Sequence, residues 1–167
     1  MVNRMAANSG ISTIRHAAAM LGQNELKKWI NTAVVNELYA DKPSEITRLS
    51  LLRAKFAENL APSFGLALQA SELFLMGLFS VLDVILDKPM EEALKMVQVS
   101  EEIKNALVSR KGKFAPVLEF MEEYEMAEWQ EISRLVILQN MDMEKLYEQY
   151  IDALKWYRDL MSPAKGQ

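Results

Sequence analysis

The sequence predicts an all-α fold, a compact bundle of about eight to nine helices, and three observations carry that prediction. Apolar residues recur at three- and four-residue spacing through most of the chain, as a helix with one buried face requires. One stretch, Leu73 to Leu86, is apolar nearly all round and must be covered on every side, which makes it the expected central helix. No segment shows sustained two-residue alternation with β-branched enrichment, so strands are few or absent.

In order along the chain, Met1 to Gly10 has little periodicity and closes on the turn Asn8-Ser9-Gly10. A helix is expected from Ser12 to Leu21, on Ile14, Ala17, Ala18 and Leu21, with Gly22 as its stop. Asn24 can cap the next helix, whose stripe is Leu26, Trp29, Ile30, Ala33, Val34 and Leu38, ending near Asp41-Lys42-Pro43. Ser44 opens a third helix with Ile46, Leu49, Leu52, Phe56 and Leu60 inward, closed by Pro62 and the Gly65 region. The central helix is expected as one piece from Gln69 to Leu86. Its apolar run from Leu73 is too short, and too interrupted by Ser80 and Asp83, to span a bilayer.

Asp87-Lys88-Pro89 then breaks the chain, and Pro89 suits the first turn of a short helix to about Met96. Ser100 followed by Glu101 and Glu102 is an N-terminal signal, with acids set against the helix dipole; that helix stops at Gly112. Helices over Phe114–Met126 and Trp129–Leu138 follow. Asp142 caps a last one carrying Leu146, Tyr150, Leu154, Tyr157 and Met161. The whole chain, residues 1–167, is expected to form a single domain.

Composition narrows the function classes. With 50% hydrophobic and 25% charged residues, the 167-residue chain is an ordinary globular protein. A net charge of −4 argues against a nucleic-acid partner, and no long basic run addresses a membrane. The absence of cysteine excludes disulfides, thiol catalysis and thiolate metal sites. Without a secretory pattern at the N-terminus, a cytoplasmic location is expected. The eleven methionines read as adaptable core filler.

Several segments together resemble a known family. Ile11-Ser12-Thr13-Ile14-Arg15-His16-Ala17, Leu21-Gly22 and Leu26-Lys27-Lys28-Trp29 resemble the signature of HDOD domains, the HD-related output domains of bacterial signalling proteins. Arg53-Ala54-Lys55-Phe56, Phe74 through Ser80, Lys88-Pro89-Met90, Ser100 through Lys104, Tyr124-Glu125 and Trp129 continue the likeness in order and spacing. It is similar in particular to the subgroup in which an HDOD domain follows an EAL domain, the cyclic di-GMP phosphodiesterase fold. The family's first helices would precede Val2, so the resemblance implies a domain whose beginning, and any EAL partner, lies outside the chain, or else a shortened independent protein.

The resemblance also implies where chemistry would sit. HD phosphohydrolases hold a metal with a His on one helix, a His-Asp pair on the next and a later Asp, and the ion activates water against a phosphate. By spacing, Ser80 and Val81 replace the His-Asp pair, and Leu49 stands about where the first His would. Leu and Val have no donor atoms, and a lone Ser hydroxyl is a poor one. With Asp83, these are the positions of a degenerate pocket, and no catalytic residue, metal ligand or cofactor is expected at them.

The residues speak the same way without the resemblance. His16 is the single histidine, so no two-histidine metal site can be built; it is expected as a packed or surface residue. An all-carboxylate magnesium or manganese site seeded by Asp83 with Glu72 or Asp87 is the alternative to capping at Asp83 and solvated helix ends at the other two. No Gly-x-Ser-x-Gly elbow and no glycine-rich phosphate loop occurs. Gly77 inside the central helix is expected to allow close helix packing. Lys27, Lys28, Arg48, Arg53 and Lys55 form either a modest anion-binding face or a solvated surface. Tyr147, Tyr150, Trp156 and Tyr157 on the last helix either meet a partner, a second copy included, or pack onto helices upstream.

The resulting expectation is a non-catalytic signalling module working through protein contacts or a small ligand. Its expected partner is a signalling protein or an upstream EAL domain, with neither nucleic acid nor membrane. A divergent metal-dependent phosphohydrolase acting on nucleotides is the alternative.

Overall fold

A computed structural model describes residues 44–161. Contacts divide the chain into two units, Met1–Asp41 and Lys42–Gln167, and the described residues belong to the second. The helices expected at Ser12–Leu21 and after Asn24, with His16, Lys27 and Lys28, lie outside them. Every regular element among the described residues is helical, as the periodicity requires.

Helix α1, Ser44–Leu60, has Glu45 in its first turn, set against the positive end of the helix dipole. It runs on into a 3-10 turn, Ala61–Phe64, which Gly65 closes in the left-handed region at φ 70°. The Leu66 amide reaches back to the Ala61 carbonyl at 2.8 Å and satisfies one of the orphan acceptors there. After a second 3-10 turn, Ala67–Gln69, helix α2 spans Ala70–Phe79 and buries every residue from Leu73 to Phe79. Leu73, Met76, Leu78 and Phe79 are fully inaccessible, each contributing about 1.5–3 kcal/mol of burial.

The expected single helix over Gln69–Leu86 is instead two, α2 and a second that follows a break at Ser80 and Val81. Ser80 turns its hydroxyl back to donate to the Gly77 carbonyl at 2.7 Å, competing with the helix ladder. Val81 then leaves helical geometry at φ −117°, ψ 13°, and α3 restarts over Leu82–Leu86. Counted from Ala67 rather than Leu73, the stretch to Leu86 covers 20 residues and is long and apolar enough to cross a membrane by length and composition. That corrects the length argument drawn from the sequence. Some 56% of its most apolar window is buried inside the fold, as in a core helix.

Asp87 closes α3 in the left-handed region at φ 51°, with the Lys88 amide on the Asp83 carbonyl at 3.1 Å and Pro89 barring continuation. Helix α4, Met90–Ala93, and a 3-10 turn, Leu94–Met96, follow as expected. The Ser100 hydroxyl caps α5, Glu101–Lys104, by accepting from the Ile103 amide. A π turn, Asn105–Ser109, extends α5 and ends short of Gly112, because Arg110 already adopts the left-handed cap. Helices α6 (Ala115–Glu125), α7 (Trp129–Leu138) and α8 (Met143–Met161) complete the described chain, and the Asp142 carboxylate accepts from the Glu144 amide at 2.9 Å ahead of α8.

The tightest pairing is α1 on α2, and α8 and α6 cover other sides of α1. The buried face of α1 differs from the stripe expected. Phe56 and Leu60 are buried, but Ile46, Leu49 and Leu52 are only half-buried, and the enclosed set includes Ser50, Leu51, Ala54 and Ala57. Small and polar residues occupy this face because the two helices approach at backbone distance. A Cβ at Gly77 would collide with the Arg53 carbonyl and stand 2.7 Å from the Ala54 Cα. The expectation of close packing at Gly77 holds.

Replacing Gly77 with Ala should therefore destabilise the fold rather than raise helix propensity. A loss of about 2–3 kcal/mol, read from the urea midpoint, is expected from forcing two backbones apart in a packed core.

Candidate functional site

At the C-terminal end of α2, three helices are joined through one guanidinium. Arg53 of α1 donates through Nε and Nη2 to both carboxylate oxygens of Glu125, the last residue of α6, at distances from 2.7 to 3.1 Å. Its Nη1 donates to the Ser80 hydroxyl at 3.1 Å, and Ser80 donates onward to the Gly77 carbonyl. The Arg53 side chain is 13% exposed and that of Glu125 is 22% exposed, so the forked pair is partly shielded from water. One turn earlier, the buried Ser50 hydroxyl donates to the Leu78 carbonyl at 2.6 Å. Both hydroxyls thus satisfy acceptors in the last turn of α2, where the helix dipole is negative and a cation is favoured.

Of the positions singled out by spacing, only Ser80 enters this network. Val81 is buried beside it in the turn, while Leu49 is half-buried one helical turn before Arg53. Asp83 lies in the first turn of α3, half-buried, and its carboxylate has no hydrogen-bond partner among the described residues. The expectation of a capping or hydrogen-bonding role for the Asp83 side chain is therefore not met. Glu72 is not a solvated helix end either: its carboxylate accepts from the Ser100 hydroxyl at 2.7 Å and ties α2 to the start of α5. Asp87 is an exposed helix cap.

Among the described residues, no three His, Cys, Asp or Glu side chains gather to hold a metal ion. The donors at the α2–α3 turn do not fit a cation. Leu49 and Val81 offer none, and the Ser80 hydroxyl is already engaged with a positively charged guanidinium that would repel an ion.

The basic residues of α1 are drawn into the fold rather than left as an anion-binding face. Lys55 pairs with Glu58 at 2.7 Å and lies over the Trp156 ring, and Arg48 lies over the Tyr157 ring, each 5.9 Å from the centroid. The aromatics of α8 divide. Tyr150 packs against Phe56 and Tyr124, and Trp156 meets Phe74 edge-on, while Tyr147 remains exposed. Burial raises the Tyr124 phenol above its ordinary value of 10.0, and the neighbouring Tyr150 and Tyr147 push it the same way.

Elsewhere, a cavity of about 710 Å³ opens between the α4 region and the π turn, with Leu94, Lys95, Val99, Lys104 and Val108 in its lining. None of Leu49, Ser80, Val81 or Asp83 lines it.

In the sequence Arg53 reads only as part of an anion-binding face or a solvated surface, and Glu125 carries no assigned role. Both stood in segments noted for their resemblance, and an Arg in the middle of a buried helix face was the available signal. The partner, 72 positions away, carried none.

The geometry describes an all-α module whose central junction is ion-paired. In sequence the chain is related to the cyclic di-GMP phosphodiesterase CdgJ of Vibrio cholerae, with 32% identity over 90% of this chain and 35% of that protein. It is likewise similar to the protein YuxH of Bacillus subtilis, with 33% identity over 90% of this chain and 37% of the relative. The chain thus spans about a third of the length of these relatives. No protein-family profile and no solved structure matches it significantly.

Two measurements probe the junction. A double-mutant cycle of Arg53→Ala and Glu125→Ala, followed by urea unfolding, should give a coupling energy of about 1–2 kcal/mol, because the pair is forked and shielded. A second concerns alkaline pH. The fold holds the Tyr124 proton more tightly than the unfolded chain does, so this group's contribution is fully present below pH 10 and is lost as pH rises through the folded value. Tyr124→Phe should flatten the decline of the urea midpoint on that alkaline side.

Proposed function

We propose that this chain is a non-catalytic regulatory module of a cyclic di-GMP signalling protein, an HDOD-like domain acting through protein contacts or a small ligand. The observation that carries the reading is sequence relatedness across 90% of the chain to a protein named as a cyclic di-GMP phosphodiesterase, of which it matches only about a third. A module of this size standing beside a catalytic domain accounts for both figures.

The chemistry of the α2–α3 turn supports the non-catalytic half of the reading. Activating water against a phosphate ester needs ligands that fix a cation beside the substrate. Here Arg53 brings a fixed positive charge to Ser80, and Glu125 neutralises it from α6. A guanidinium has no open coordination position for a water and its charge is met by Glu125, so the junction keeps helices in register and offers no activated nucleophile. The EAL neighbour implied by the resemblance would supply the catalysis, with this module biasing it.

Metal analysis of the purified chain, with turnover of cyclic di-GMP and a panel of nucleotides in added magnesium and manganese, tests the reading. The expected result is no stoichiometric metal and no turnover above buffer. Metal-dependent hydrolysis that is lost on chelation would overturn it in favour of a divergent phosphohydrolase.

A further inference from the structure

Helix α7 has one extensive pairing among the described elements. It packs on α6, and although α8 follows it across a short turn, the two helices make almost no contact along their lengths. Only Ile132 and Leu135 of α7 are buried. The opposite stripe carries Trp129, Ser133 and Ile137 at helical spacing, with Trp129 58% and Ile137 78% exposed. Trp129 meets the Tyr124 ring edge-on, and Tyr124 packs on Tyr150 of α8, which brings the Trp129 end of the stripe next to the aromatics of α8. From α8, Tyr147 is 58% exposed, and Met143 is exposed with it.

Charge says what would cover this face. Between Glu119 and Glu148 the chain has nine acidic residues against two basic ones, a net charge of −7, whereas the whole chain carries −4. Glu131 is paired with Arg134, Glu122 with Arg110 and Glu125 with Arg53, which leaves six carboxylates of the stretch against Lys145. Exposed tryptophan and tyrosine on a stretch with this acidic excess select a partner with an apolar stripe and a basic flank. Two neighbouring helices that are not packed on each other can seat such a segment between them.

We propose that the α7–α8 face, centred on Trp129, Ile137 and Tyr147, is a docking surface for a basic amphipathic helix of a partner protein. It deepens the proposed function and rests on the reading that this module works through contacts, but its test is separate. A failed docking result leaves the absence of turnover where it stands, and turnover with metal leaves docking where it stands.

The full chain is titrated with a labelled, amidated Leu/Lys peptide of roughly four helical turns, its leucines at helical spacing, and binding is read by fluorescence anisotropy. A scrambled peptide of the same composition and a Leu/Glu counterpart are controls. The expected result is saturable binding of the Leu/Lys helix alone, weakened by salt and weakened at least about tenfold in Trp129→Ser/Tyr147→Ser. Leu68→Ser, at a residue 97% exposed on the turn before α2, should leave binding unchanged. No binding, equal binding of the scrambled peptide, or binding indifferent to the Trp129/Tyr147 pair overturns the proposal. Concentration-dependent dimerisation of the chain alone that Trp129→Ser abolishes also overturns it, since the occupant is then a second copy. Circular dichroism and the urea midpoint establish that each variant folds.

Discussion

The close approach of α1 and α2 is the constraint on which the rest of this structure depends. Gly77 allows it by having no Cβ where the backbone of Arg53 and Ala54 passes. Once the helices stand that close, only small residues fit between them, which is why Ala54 and Ala57 are buried where larger apolar residues were expected. The same approach carries the Ser50 hydroxyl to the Leu78 carbonyl and the Arg53 guanidinium to Ser80. A bulkier contact would leave those carbonyls at the end of α2 buried without donors, at a cost of about 1–3 kcal/mol each.

That geometry ties neighbouring helices together without metal ligands among the described residues. An ion on neighbouring helices also serves as a fastener, since its ligands tie those helices together. Here Arg53 ties α1 to Ser80 at the end of α2 and to Glu125 at the end of α6 through directional hydrogen bonds. The pair is forked and partly shielded, and each partner meets the other's charge. An aromatic cluster of Phe56, Tyr124 and Tyr150 adds an apolar seam between α1, α6 and α8.

The periphery obeys a different logic. α7 and the first half of α8 carry most of their charge as carboxylates and leave large apolar side chains in water, which folding alone does not reward. Four non-glycine residues, Asp87, Arg110, Ala127 and Asn140, take left-handed caps between the later helices. Each accepts a local backbone cost that packing of the adjoining helices offsets.

The helical class and most helix limits were legible in the sequence, because they follow from spacing, capping residues and breakers that act within a few positions. Trp129–Leu138 and the Ser100 cap are local in this sense, and both stand as read. The poverty of donors at Leu49, Ser80 and Val81 was legible too, since it is a matter of side-chain composition. Only tertiary structure decided which face of α1 is buried, that the central apolar run breaks at Ser80, and that Glu125 answers Arg53 across 72 positions. Those outcomes turn on how near two backbones come and which charge meets which, and distances between chain-remote atoms leave no mark on local periodicity.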